Sequence, residues 1–292
     1  ALGPDLGAAD HPVRQRAGWL LVLPLVLWMG AFYLIPMISV TLNSLHTVNA
    51  DYEIEPAYTL ENFTRAANPD YLPVLKRSVA YAAATTAFCL LLGYPLAYFI
   101  ALHGGRNKGR YLVMLMLPFW TSYMVRTYAW KSLLQTEGLV NGTLQALNLT
   151  QEPVNLLNTP FSVILGLTYC FLPFAALPIY VSLERMDRRL LEASADLGGS
   201  PASTFWRVVF PLSQPGVVAA VLLTFVPALG DFVTPELLGG PETFMIGNLI
   251  QEQFLQLFDW PFGSALALLL MLLMLLSIAA YLKLSGSERD LV

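Results

Sequence analysis

Charge is what this chain has least of. Asp, Glu, Lys and Arg make up 12% of its 292 residues, half of the roughly 25% usual for a soluble domain, while 56% are hydrophobic. So few charges do not cover a water-exposed surface, which excludes an ordinary soluble domain and defines an integral membrane protein. Histidine and cysteine are scarce as well. The three histidines, His11, His46 and His103, are not paired with Cys, Asp or Glu at metal-ligand spacing, and no G-x-x-x-x-G-K-[ST] phosphate loop occurs. An enzyme, a resident metal and a nucleotide site in this chain are therefore not expected, nor is a nucleic-acid partner. The two cysteines, Cys89 and Cys170, lie inside apolar runs and read as buried thiols rather than a disulfide. Nothing before Trp19 has the small-residue cleavage site of a secretory signal.

What is present is apolar length. Six stretches, 18–42, 78–102, 111–131, 160–183, 212–234 and 262–283, meet the requirement of about 20 mostly apolar residues for a membrane-crossing helix. The third carries Arg126 and Lys131 at its far end. The expected architecture is one all-α transmembrane domain over 1–292, embedded in the lipid bilayer. Lys and Arg gather in alternate connections. Arg14 and Arg16 precede the first span. Arg106, Lys108 and Arg110 follow the second, Arg185, Arg188, Arg189 and Arg207 follow the fourth, and Lys283 and Arg289 end the chain. The fifth connection has no Lys or Arg but carries Glu236, Glu242, Glu252 and Asp259. By the positive-inside rule both termini and the fourth loop, 184–211, face the cytoplasm. Prolines 24, 36, 95, 118, 173, 178, 215 and 227 fall within the spans, and their kinks suit a moving pathway.

The fourth loop is polar and tightly punctuated: "EASADLGGSPASTFWRVVFPLSQPG" covers 192–216. It reads as two short helices. In the first, Leu190, Ala193, Ser194 and Leu197 form one stripe, and Arg188, Glu192 and Asp196 repeat on another face at charge-pair spacing. Gly198 and Gly199 end that helix, Ser200 caps the next and Pro201 suits its first turn. Phe205, Val208, Val209 and Leu212 give the second helix its stripe, and Pro211 and Pro215 are expected to break it before the fifth span. On pattern alone two readings stand: an amphipathic connector lying on the membrane, or a docking element for a cytoplasmic partner.

The segment resembles the "EAA" loop of permease subunits in bacterial ABC importers. That signature is Glu-Ala-Ala, three residues, Gly, nine residues, then Ile-x-Leu-Pro. Here Glu192-Ala193-Ser194 precedes Gly198 at that distance, and Val208-Val209-Phe210-Pro211 follows, with Ser, Val and Phe replacing Ala, Ile and Leu. The resemblance implies that Glu192, Ala193, Ser194, Asp196, Gly198, Gly199 and Pro211 couple this chain to a separate ATPase subunit. ATP and Mg would then be bound by that partner, and no cofactor by this chain. It further implies a type I importer in the bacterial inner membrane, with a second homologous permease, two ATPase subunits and a periplasmic solute-binding protein.

Further stretches are similar to the spermidine/putrescine permeases: "LPFWTSYMVRTYAW" at 117–130, "GDFVTPELLGG" at 230–240, "MIGNLIQEQF" at 245–254 and "DWPFGSA" at 259–265. A polyamine substrate is what they imply. Polyamines call for carboxylates and aromatic faces. Asp231 and Glu236 at the end of the fifth span read either as substrate contacts or as solvated interface acids, and Gly230 and Pro235 mark local unwinding beside them. Trp120, Tyr123, Thr127 and Trp130 recur at helical spacing in the third span, as a pathway stripe or a headgroup belt, and Tyr169 and Phe174 in the fourth read as pathway or packing aromatics. Arg126 is expected to pair with Asp231 or Glu236, or to face the interface. Two alternatives remain at this level: the same machine with another cargo, such as ferric iron, an organic acid or an opine, and a secondary transporter or channel.

Overall fold

The computed structural model describes residues 12–49, 54–55 and 57–287. Helix α1 (Pro12–Ser44) leads to a minimal antiparallel pair, β1 (Thr47–Val48) and β2 (Ile54–Glu55), in which Val48 opposes Ile54. Then follow α2 (Glu61–Ala66), α3 (Leu72–Tyr98) with a π turn at Phe99–His103, α4 (Lys108–Met116), α5 (Tyr123–Leu134) and α6 (Leu139–Ala146). The second half holds α7 (Pro160–Glu184), α8 (Arg189–Asp196), α9 (Pro201–Thr204), α10 (Phe210–Gly230), α11 (Val233–Leu238), α12 (Ile246–Leu255) and α13 (Trp260–Ser287).

Among the described residues, five helical stretches are long and apolar enough to cross a membrane: Val22–Ser44, Pro69–His103, Pro160–Glu184, Pro201–Gly230 and Trp260–Lys283. The third expected span, 111–131, is not one helix. It divides into α4, a 3-10 turn at Leu117–Trp120, extended backbone at Thr121 and Ser122, and α5. Pro118 explains the division, because it has no N–H to continue the ladder of α4. The expectation for the termini falls on residues 1–11 and 288–292, outside the described residues, as does His11.

The core is a bundle of α3, α7 and α10 built on small side chains. Ala82, Cys89, Ala97, Ala175, Ala176 and Ala220 are all buried at its contacts. Between membrane helices there is no water to expel, so close backbone approach supplies the packing energy. Gly216 is the tightest case: a Cβ there would lie 2.6 Å from the Pro178 carbonyl oxygen and 2.9 Å from Ile179 Cα. Some polar side chains inside the bundle bond to one another: Tyr94 Oη lies 2.7 Å from Ser213 Oγ, and Thr224 donates to Thr86 at 3.4 Å. Cys89 and Cys170 are free and buried. Helix α1 packs against α13 and leaves most of its apolar surface open on this chain.

At the end of the bundle away from α8, loops are tied to helix starts. Arg77 Nε donates to the Phe244 carbonyl at 2.6 Å and Nη1 to that of Glu242. The Ile246 amide donates to Ser78 Oγ at 2.7 Å. Arg65 pairs with Asp259 at 2.6 Å and lies 3.9 Å over the Phe262 ring.

Candidate functional site

Two places combine shape with chemistry, one at each end of α10. The first is the α8–α9 knuckle. Helix α8 ends in a Schellman motif: the Gly198 amide donates to the Ala195 carbonyl and the Gly199 amide to the Ser194 carbonyl, both at 2.9 Å. Gly198 sits at φ +77°, the left-handed conformation that glycine adopts without strain. Ser200 then caps α9, accepting the Ser203 amide at 3.3 Å, with Pro201 in the first turn. Ser194 Oγ meets Thr204 Oγ1 at 2.8 Å and closes the two helices on each other. A small polar residue at 194 is what lets them approach.

The knuckle faces outward. Glu192, Ala193 and Asp196 are exposed, Leu190 is exposed, and Leu197 is 90% exposed at the apex. The stripe of Leu190, Ala193 and Leu197 is thus presented to the surroundings, while Leu191 packs on the core. Two local expectations need correction. Arg188 does not join a charge ladder with Glu192 and Asp196. Its Nη2 donates to the Ala101 carbonyl at 3.2 Å, fixing the knuckle to the π turn after α3. Nor do Pro211 and Pro215 break the second helix. A π turn at Phe205–Val209 joins α9 to α10, Pro211 falls in the first turn of α10, and the helical stretch runs unbroken from Pro201 to Gly230. The wider π turn absorbs the hydrogen bond that Pro211 cannot make. Phe205 packs edge-on against Tyr94 and Tyr98, with ring centres 5.6 and 6.0 Å away.

The second place begins where α10 stops. Gly230 ends the helix, Asp231 is extended and α11 restarts at Val233. Asp231 Oδ1 accepts the Val233 and Thr234 amides at 2.8 and 3.3 Å, so it caps α11. Its Oδ2 accepts the Thr234 hydroxyl at 2.8 Å and the Tyr123 hydroxyl from α5. Tyr123, Thr127 and Trp130 share the inward face of α5, and Trp130 stacks edge-on with Tyr169 of α7 at 5.4 Å. Trp120 is cut off from that face by the break at 121–122 and is 77% exposed, and Glu236 is exposed on α11. Among the described residues neither makes a ring contact or ion pair with the cluster.

Arg126 departs from expectation. It pairs with neither Asp231 nor Glu236 and does not face the interface. It is buried, with its guanidinium carbon 4.4 Å from the Phe119 ring centre and 5.6 Å from that of Tyr123. Thr234, Phe119 and Asn248, which donates to the Phe232 carbonyl at 2.7 Å beside Asp231, are the members that the sequence reading missed. A clue to Thr234 was its place three residues after an acid at a helix start. Phe119 and Asn248 carry no such signal.

Comparison with known proteins gives this arrangement a class. The fold matches that of a solved bacterial ABC transporter chain involved in the import of the acidic polysaccharide alginate, with a TM-score of 0.78, 17% identity and coverage of 94% of this chain and 96% of that one. The chain therefore shares the fold of that ABC transporter chain. A family model described as "Binding-protein-dependent transport system inner membrane component" matches residues 93–286, and the chain belongs to that family. It is 38% identical to the spermidine/putrescine transport system permease protein PotB of Escherichia coli K12, over 89% of this chain and 95% of that protein. It is also 34% identical to the inner membrane ABC transporter permease protein YdcU of the same organism, over 94% and 93% of the two chains.

Proposed function

We propose that the chain is one permease subunit of a type I ABC importer that moves a polyamine such as spermidine or putrescine inward across the bacterial inner membrane. The observation that carries the substrate class is the 38% identity with PotB across nearly the whole of both chains. The second permease is a relative of this one, two ATPase subunits bind ATP and Mg, and a periplasmic solute-binding protein delivers the cargo. The termini and the knuckle lie on the cytoplasmic side.

The mechanism follows from the continuity of α10. The knuckle is stiff: it is held by the Schellman motif, the Ser194–Thr204 bond and the Arg188 tie to Ala101. Its exposed side, with Glu192, Ala193, Asp196, Leu197 and Gly198, offers an ATPase groove both charge and an apolar tip. When nucleotide draws the two ATPase subunits together, the docked knuckles follow as rigid bodies. The stretch Pro201–Gly230 is then a lever of 30 residues, about 45 Å at 1.5 Å per residue, ending on Asp231. Movement of the knuckle therefore displaces Asp231 against Tyr123 on α5 and switches the pathway between its two faces.

In the pathway, Asp231 supplies the carboxylate, and Tyr123, Trp130 and Tyr169 supply faces for the alkyl-ammonium chain. Exposed Glu236 and Trp120 serve the mouth. Reconstitution with the cognate partners in vesicles tests the proposal. ATP-dependent uptake of radiolabelled putrescine or spermidine is expected; uptake of neither, under conditions where the ATPase is active, would overturn the polyamine assignment.

A further inference from the structure

A guanidinium buried without an acid is costly to hold, and a hydrophobic residue of similar length would fill the same volume without that cost. Arg126 is only 8% exposed, forms no ion pair among the described residues, and its Nε and Nη1 have no hydrogen-bond partner. Aromatic faces hold it instead, Phe119 at 4.4 Å and Tyr123 at 5.6 Å. The hydroxyl of that same Tyr123 donates to Asp231. Cation, ring and carboxylate are thus arranged in series, and the faces suited to an organic ammonium group already carry a cation that belongs to the chain.

We infer that Arg126 is a tethered competitor of the substrate: its guanidinium occupies the Phe119–Tyr123 faces beside Asp231, and so governs how readily a bound ammonium group is released. This rests on the polyamine assignment above. An arriving ammonium group brings a second positive charge to the aromatic faces that Arg126 already occupies. It binds only while Arg126 is held off, and it leaves when the guanidinium returns. The unsatisfied Nε and Nη1 fit a side chain that exchanges between two seats rather than one locked into a network. Arg126 is on this account a specificity and release residue, and Asp231 remains the substrate's counter-ion.

Arg126→Met keeps length and removes charge, Arg126→Gln removes charge but keeps polarity, and Arg126→Lys keeps charge. Each is purified with its partners and tested for retention of radiolabelled putrescine after gel filtration, and in vesicles for uptake. The expected result for Arg126→Met and Arg126→Gln is retention increased on the order of tenfold, as when one like charge is removed several ångströms away in a partly wet site. Half-saturation should fall and maximal uptake should slow, while Arg126→Lys stays near wild type. Wild-type retention and uptake in Arg126→Met would overturn the inference, as would Arg126→Lys behaving like Arg126→Met. Failure of both uncharged variants to assemble would make Arg126 structural and overturn it too. Absence of polyamine uptake by the wild type is a separate outcome: it removes the substrate assignment itself, and this inference with it.

Discussion

Different substitutions pull apart the helix cap that Asp231 forms and the substrate counter-ion role proposed for it. Its carboxylate caps α11 through the Val233 and Thr234 amides and receives the hydroxyls of Thr234 and Tyr123. Asn at this position keeps a carbonyl oxygen for the two amides, and its NH2 group meets hydroxyls that can turn to accept. The stability cost is therefore about 1 kcal/mol, the gap between charged and neutral hydrogen bonds. Ala removes the cap, worth about 1 kcal/mol. It also takes from the part-buried Tyr123 hydroxyl one of its two partners, adding about 1–3 kcal/mol. Transport weighs the charge instead. An ammonium group about 4 Å from the carboxylate gains about 4 kcal/mol at an effective dielectric constant of about 20, and even half of that is more than tenfold in occupancy. Uptake of radiolabelled putrescine below saturation, measured beside thermal inactivation in detergent, separates the two. Asp231→Asn should assemble and melt nearly as wild type yet transport at least about tenfold less. Asp231→Ala should lose both transport and stability. Wild-type uptake by Asp231→Asn would show that the carboxylate only caps α11 and would remove it from the pathway.

Other outcomes follow from the packing. Gly216→Leu places side-chain atoms where the Pro178 carbonyl already lies 2.6 Å from a Cβ position, so the α7–α10 crossing should open and the yield of assembled complex should fall sharply in size-exclusion profiles. In the knuckle, Gly198→Ala meets open space and costs about 1–2 kcal/mol of local backbone strain. Gly199→Ala drives a Cβ to 2.7 Å from both the carbonyl oxygen and Oγ of Ser194, and should disturb the Ser194–Thr204 link. Substrate-stimulated ATP hydrolysis should fall further in Gly199→Ala than in Gly198→Ala, and the reverse order would refute the knuckle geometry.

Features decided by neighbours in the chain were legible from sequence. Two glycines, a serine and a proline at 198–201 dictate a helix end, a cap and a restart, and each does so through bonds within a few residues. The unwinding between Gly230 and Val233 is of the same kind. Features decided by distant partners were not. Tyr123 and Asp231 stand 108 residues apart, and only the packing of α5 against α11 makes them partners. Arg188 looked like a member of a helical charge ladder because spacing records which charges could meet, not the Ala101 carbonyl that lies closer. The break at 121–122 was hidden because an apolar count runs straight through Pro118, and Trp120 was therefore assigned to a stripe it does not join. Arg126 shows the same limit: a charge in the sequence suggests an acid nearby, whereas the fold offers it aromatic rings.

The coupling surface can be tested by a single pull-down. Gly198→Trp adds a large side chain at the exposed apex of the knuckle, where a Cβ meets no atom within 4 Å, so the chain itself has room for it. With Gly198→Ala as the control for backbone strain, the tagged Trp variant should reach the membrane and retain its permease partner but bring down little or no ATPase. ATPase recovered with the Trp variant at the wild-type ratio would mean that the motor does not grip this surface.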